Sequence, residues 1–262
     1  MILFMAIFSF FTIPLLGEIF PIKKSAADPL KYIELKQNAV ILDVGCLNGE
    51  LTAEIAEKIP NGQVIGIDIF PKLIIYAKNK FQKDNLQFIY KHPEELDFEN
   101  QFDLIFSFFS LHLIKNHESF LQGAYRGLKS SGILAISIPM GLPQPLLQAV
   151  TEVISAPEWS PFFQNFQTGW NFIDDIEYAE LLAHLPWVIT RLAVVPQKEV
   201  FRCKKHVAKF LSEWFPYLNP IPIKLKQKFL LEVIDRYLEI EPCPGKEVHF
   251  NIRRLEVVAS KE

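Results

Sequence analysis

Five short apolar runs, each followed by a stretch of helical periodicity, constrain this chain more than any other feature. The runs are Ala39 to Val44, Gln63 to Ile69, Leu86 to Tyr90, Phe102 to Phe108 and Gly132 to Ile138. They are rich in Val, Ile, Leu and Phe and hardly alternate, as strands buried on both faces should be. After the first run, Leu51, Ile55 and Ile59 recur every four residues and share one helical face. After the second, Pro71 suits a first helical position, because its missing N–H has no partner to lose there. Leu73, Ile74, Ala77 and Phe81 continue as an apolar stripe, and Ser119 to Leu128 supplies a helix before the fifth run. Strand and helix in alternation predict a doubly wound, mostly parallel α/β sheet.

The rhythm breaks after Pro139. Residues 143–187 and 203–240 read as two largely helical insertions that cap the sheet. Further strand-like runs near Val188 to Val195 and Val248 to Ala259 bring the sheet to seven. Residues 25–262 thus form one domain carrying a helical cap. Half of the 262 residues are hydrophobic and 23 are Phe, enough for a large core. The formal net charge of −3 gives no electrostatic case for a nucleic-acid partner. Cys46, Cys203 and Cys243 are far apart, so neither a metal site nor a disulfide framework is expected, and a reduced, cytoplasmic setting fits.

Residues 1–24 stand apart. Ile2 to Leu16 is almost wholly apolar and Lys23-Lys24 follow. No positive charge precedes the run, as a secretory signal requires, and it is short against the roughly 20 residues that span a bilayer. It reads as a helix packed on the domain or as a misassigned start. Membrane contact through residues 2–16 is the alternative, with Lys23 and Lys24 then favouring a cytoplasmic domain.

Ligands of such sheets bind beyond the carboxyl ends of the strands. The first strand ends Asp43-Val44-Gly45-Cys46-Leu47-Asn48-Gly49. Gly45 and Gly49 permit a tight turn and close backbone approach, and N–H groups at the following helix start suit a carboxylate. The second strand ends in Asp68, 19 residues after Gly49, where an acid can accept bonds from two ribose hydroxyls. Ile69 and Phe70 then lie where an adenine would go. A dinucleotide fingerprint would need glycine at Leu47 and at Glu50, and both fail.

The stretch Val40 to Gly49 resembles motif I of the class I S-adenosylmethionine-dependent methyltransferases, D-x-G-C-G-x-G. Asp68 matches that family's ribose-binding acid, Phe102 to Ser107 its fourth-strand motif, and Leu128-Lys129-Ser130-Ser131-Gly132 its L-K-P-G-G turn. Within the superfamily, Ser110-Leu111-His112-Leu113 is similar to the L-H-W segment of trans-aconitate, juvenile-hormone-acid and malonyl-carrier methyltransferases. Ile138-Pro139-Met140, Glu158-Trp159, the region around Trp214-Phe215-Pro216 and Arg254 to Ala259 also resemble that group. Ser25 to Asp28 sits where that group carries an S-x-x-Q cofactor contact.

The resemblance implies a Rossmann-like methyltransferase sheet and S-adenosyl-L-methionine as cofactor. It implies cofactor contacts from Asp43, Gly45, Cys46, Gly49, Asp68, Ile69, His92, Pro93 and Phe108. His112 becomes the catalytic candidate, orienting a small-molecule substrate, and Trp159, Trp170 and Tyr217 become candidates to line its pocket. Arg202 or Arg253 could pair with a substrate acid. The implied reaction is O-methylation of the carboxylate of a small organic acid. The alternatives are another small acceptor, or a methyltransferase-fold scaffold with a degenerate cofactor site. Four departures bear on the last: Leu47 for the middle glycine, His92-Pro93 for an adenine-binding acid, Asp28 for Gln and Ser131 for a glycine. If the turn needs a left-handed backbone at Leu47, the side chain costs about 1–2 kcal/mol.

Overall fold

A computed structural model describes residues 28–262. The calls on residues 1–24 and on Ser25 to Asp28 lie outside the described residues or, for Asp28, outside the described side chains. The chain runs β1 (Val40–Val44), α1 (Glu50–Lys58), β2 (Gln63–Asp68), α2 (Pro71–Lys80), β3 (Leu86–Tyr90), β4 (Phe102–Phe108), α3 (His117–Gly127) and β5 (Leu128–Pro139). It continues through α4 (Gln144–Ser155), α5 (Asp175–Ala183), β6 (Trp187–Phe201), α6 (Lys204–Trp214), α7 (Lys226–Ile240) and β7 (Val248–Lys261).

The seven strands form one sheet in the order β3-β2-β1-β4-β5-β7-β6. Neighbours are parallel from β3 to β5, and β7 runs antiparallel to β5, with Ser137 opposite Glu256 and Pro139 opposite Arg254. The connections reverse direction beside β1, which has β2 on one side and β4 on the other. That reversal opens a crevice at the strands' carboxyl ends.

Contacts divide the described chain into two units. The sheet unit holds residues 28–140, 170–195 and 254–262. One face of its sheet carries Leu42, Val44, Ile65, Ile67, Ile105, Ile136 and Val257, packed with Phe120 and Leu121 of α3 and with Tyr178 and Leu182 of α5. On the other, Cys46 and Phe88 pack with Ile74 and Ala77 of α2. α3 starts at a capped end, where the Asn116 side chain accepts the Ser119 N–H at 2.9 Å.

Residues 141–169 and 196–253 make the second unit. Its α4 and α7 pack together, with Arg236 paired to Glu152 and the rings of Trp159 and Phe229 edge to face. Residues 170–187, read from sequence as part of a cap insertion, thus fall in the sheet unit.

Two boundaries differ from the sequence reading by four residues or more. β5 begins at Leu128, four residues before Gly132, because Leu128 pairs with Phe102 and the register shifts before Leu104 meets Ile133. Ser131 sits in that irregularity at φ +61, which explains the value of a glycine there. β6 extends to Phe201, beyond the run that ended near Val195.

Candidate active site

The crevice beside β1 is closed by a turn, residues 45–49, that alternates through left-handed conformations. Gly45, Leu47 and Gly49 have φ of +81, +52 and +79. The N–H groups of Gly45 and Cys46 both donate to the Ile67 carbonyl, at 2.8 and 2.9 Å, so the turn is tied to the end of β2. There is no room for a side chain at either glycine. A Cβ on Gly45 would lie 2.2 Å from Ser110, and one on Gly49 would lie 2.6 Å from the Phe88 ring.

Asp68 meets this turn directly. Its Oδ2 accepts the Leu47 N–H at 2.9 Å and its Oδ1 accepts the Phe70 N–H at 2.9 Å. The residue is 3 % exposed. Burial pushes its carboxyl up to about 6, against the pull of the amides of Phe70, Leu47 and Ile69. Asp43 has another engagement: it is buried, and its Oδ2 accepts the Thr52 hydroxyl at 2.6 Å, which fastens α1 to β1. Cys46 is also turned inward, with its sulfur beside Gly66.

Ile69 is half-buried past the end of β2. Across β3, Tyr90 stands opposite Asp68 in register, and its exposed ring meets His92 edge-on at 6.3 Å. Pro93 is buried beside His92. Tyr90 was missed by sequence reasoning; its place as the last residue of the third strand was the available signal.

At the end of β4, the hydroxyls of Ser107 and Ser110 converge on the Val44 carbonyl at 2.9 and 3.0 Å and lie 2.8 Å from each other. They lock β4 to β1 where the 45–49 turn begins. Phe108 is buried and stacks on Phe106 at 4.9 Å. Phe109 follows at φ +54, its N–H donated to Ser137 O at 2.8 Å.

His112 lies in the short 3-10 turn Leu111–Leu113 that follows. Its ring stacks on Phe172 (5.8 Å, 6° between planes) and meets Trp170 at 6.1 Å. The Asn171 N–H donates to the His112 carbonyl at 2.8 Å, which pins residues 170–172 against the turn. Burial, with a smaller contribution from His117, pushes the imidazole down to about 3, so the ring is neutral at physiological pH. Its Nδ1 is buried without a protein partner. Of the proposed pocket residues, then, His112 and Trp170 come together, and Phe172 joins them unforeseen.

Trp159 and Tyr217 belong to the other unit. Trp159 is 0 % exposed, with its indole N–H donated to Glu232 at 2.6 Å, so it packs in that unit's core. Tyr217 sits among Phe163, Phe166 and Phe215, with ring centroids 4.8–6.5 Å away. Arg202 and Arg253 are both exposed. The buried arginine is instead Arg254, which donates from Nε and Nη2 to Glu256 at 3.0 and 2.9 Å, while Arg191 donates to the other Glu256 oxygen at 2.7 Å. The alternation of Arg254 and Glu256 within an apolar strand was the sequence signal for that cluster. No group of His, Cys, Asp and Glu fit to hold a metal occurs among the described residues.

A family profile described as "Methyltransferase domain" matches residues 35–167, about half of the chain, from before β1 into the second unit. This chain belongs to the methyltransferase-domain family. The methyltransferase is 28% identical to a trans-aconitate 2-methyltransferase of Deinococcus radiodurans, over 90% of this chain and 92% of that one. It is 24% identical to the juvenile hormone acid O-methyltransferase of Drosophila melanogaster, over 79% and 73%. Its fold matches the crystal structure of geranyl diphosphate C-methyltransferase from Streptomyces coelicolor A3(2), solved with Mg2+, geranyl diphosphate and S-adenosyl-L-homocysteine. There the TM-score is 0.56 and the identity 11%, over 92% of this chain and 78% of that one. The strand order and the antiparallel β7 are those of a class I methyltransferase. No helix among the described residues is long and apolar enough to cross a membrane.

Proposed function

We propose that this methyltransferase uses S-adenosylmethionine to methylate the carboxylate of a small organic acid. The observation that carries the cofactor is the meeting of turn and acid: Leu47 N–H on Asp68 Oδ2, flanked by two glycines that tolerate no Cβ. An adenosyl ligand fits that arrangement. Backbone N–H groups at the start of α1 suit its amino-acid carboxylate, Asp68 offers acceptor lone pairs to its ribose hydroxyls, and Ile69 an apolar face to its base. When bound, the cofactor supplies an electrophilic methyl group on a sulfonium.

The chain's own residues then have to position the acceptor, since in-line displacement gains most of its rate from alignment. A carboxylate is already ionised at neutral pH and needs no general base. His112 suits the orienting role. Held neutral between Phe172 and Trp170, it can donate one N–H to a carboxylate without taking up a proton itself. Phe108 and Phe109, at the end of β4, can offer ring faces to the sulfonium charge. The two relatives quoted above, one named for trans-aconitate and one for an acid, support a carboxylate acceptor.

The test is a panel of small di- and tricarboxylic acids incubated with the protein and S-adenosylmethionine, read by mass spectrometry for a gain of one methyl group. Labelled acids are predicted; labelled amines or phenols with untouched acids would refute the acceptor class. His112→Ala is predicted to raise KM for the acid about tenfold or more while leaving S-adenosylmethionine affinity unchanged.

A further inference from the structure

The side chains of the 45–49 turn are, with one exception, absent or buried. Gly45 and Gly49 have none and no space for one, with Ser110 and Phe88 filling the positions a Cβ would take. Cys46 and Asn48 point into the protein, 4 % and 1 % exposed. Of the turn's side chains, only Leu47's stays partly exposed. It does so at φ +52, a conformation that costs a residue with a Cβ about 1–2 kcal/mol. Its N–H is committed to Asp68 Oδ2 at 2.9 Å, which fixes its Cα beside the sugar-binding acid. A strained backbone that persists at such a place points to a role in the site.

Resting on the adenosyl-ligand reading above, we propose that Leu47 is a specificity-determining residue: its isobutyl group forms the ligand-facing wall of the turn and limits how closely the ribose and amino-acid parts of the ligand approach Asp68 and the turn backbone. The wall is set by volume. Smaller residues open the site and larger ones close it, while the backbone N–H that steadies Asp68 remains in every variant.

S-adenosylhomocysteine is titrated calorimetrically into wild type, Leu47→Ala, Leu47→Gly, Leu47→Phe and Asp68→Ala, with each variant's unfolding midpoint as a check on folding. The proposal predicts binding about fivefold or more tighter in both Leu47→Ala and Leu47→Gly, and about tenfold or more weaker in Leu47→Phe. Leu47→Ala keeps the left-handed strain and Leu47→Gly relieves it. A gain in Leu47→Gly alone would therefore assign the effect to backbone strain and overturn the wall. Unchanged or weaker binding in Leu47→Ala would overturn it too. If Leu47→Phe fails to fold, the Ala and Gly variants decide alone. Loss of binding in Asp68→Ala with a flat Leu47 series would sink this proposal and leave the adenosyl reading standing. Binding equal in wild type and Asp68→Ala, or absent from every variant, would remove both.

Discussion

Gly45 faces Ser110 so closely that a methyl group on Gly45 would overlap the serine side chain at 2.2 Å. The contact joins the 45–49 turn to the end of β4 and is held from below by the Val44 carbonyl, on which Ser107 and Ser110 both converge. Gly45→Ala therefore meets two penalties, a positive φ and a steric overlap. Its predicted cost is about 2–4 kcal/mol in urea unfolding. Adding Ser110→Gly should return part of that loss by removing the overlap while φ stays +81. An unaltered denaturation midpoint for the single variant would mean that the turn is far more pliant than described.

A second prediction concerns the buried charge cluster at the β5–β7 seam. Glu256 accepts from Arg254 on one oxygen and from Arg191 on the other, and both Arg254 and Glu256 are buried. Glu256→Leu takes from the buried Arg254 the carboxylate that accepts its Nε and Nη2 protons and should destabilise the protein by about 3–5 kcal/mol. Combining it with Arg254→Leu removes the buried positive charge as well, so the double variant is predicted to be more stable than the single one. A double variant no more stable than Glu256→Leu would contradict this.

His117 links stability to pH. It is the first residue of α3, buried against the Tyr178 ring at 5.7 Å. Burial pushes its imidazole down to about 4 from 6.5, against the pull of the Leu111 carbonyl and Glu94. A histidine with a depressed folded-state pKa stabilises fully above its unfolded value and loses that contribution as pH falls toward the folded one. Between pH 6.5 and 4, wild type should therefore lose about 3 kcal/mol relative to His117→Leu. Taking the difference between the two proteins cancels Asp68, whose raised pKa works in the opposite sense, and leaves of His112 only the small part that His117 itself imposes. Parallel stability curves across that window would contradict the assignment.

The sheet was legible because strands buried on both faces leave unbroken apolar runs and because Pro71 and the glycines mark where elements begin. The turn at residues 45–49 was legible for a related reason: Gly45 and Gly49 sit where backbone and neighbours exclude a Cβ. Leu47 is the instructive residue. Its replacement of a glycine was plain in the sequence, but not that its N–H would reach Asp68, a contact that spans two strands. Trp159 shows why aromatics are hard to read from sequence: they serve cores and pockets alike, and its burial was set by packing the sequence does not display. Phe172 and Arg254 escaped notice because each draws its meaning from a partner distant in sequence or from which strand face it occupies.

The account rests on Asp68 and the 45–49 turn holding one adenosyl ligand, and calorimetry with S-adenosylmethionine at pH 7.5 tests that most directly. Wild type is predicted to bind with a Kd on the order of micromolar, and Asp68→Ala to lose about 2–3 kcal/mol of that affinity, roughly a hundredfold. A wild-type protein that releases no heat with the ligand, or an Asp68→Ala variant that binds as tightly as wild type, would contradict it.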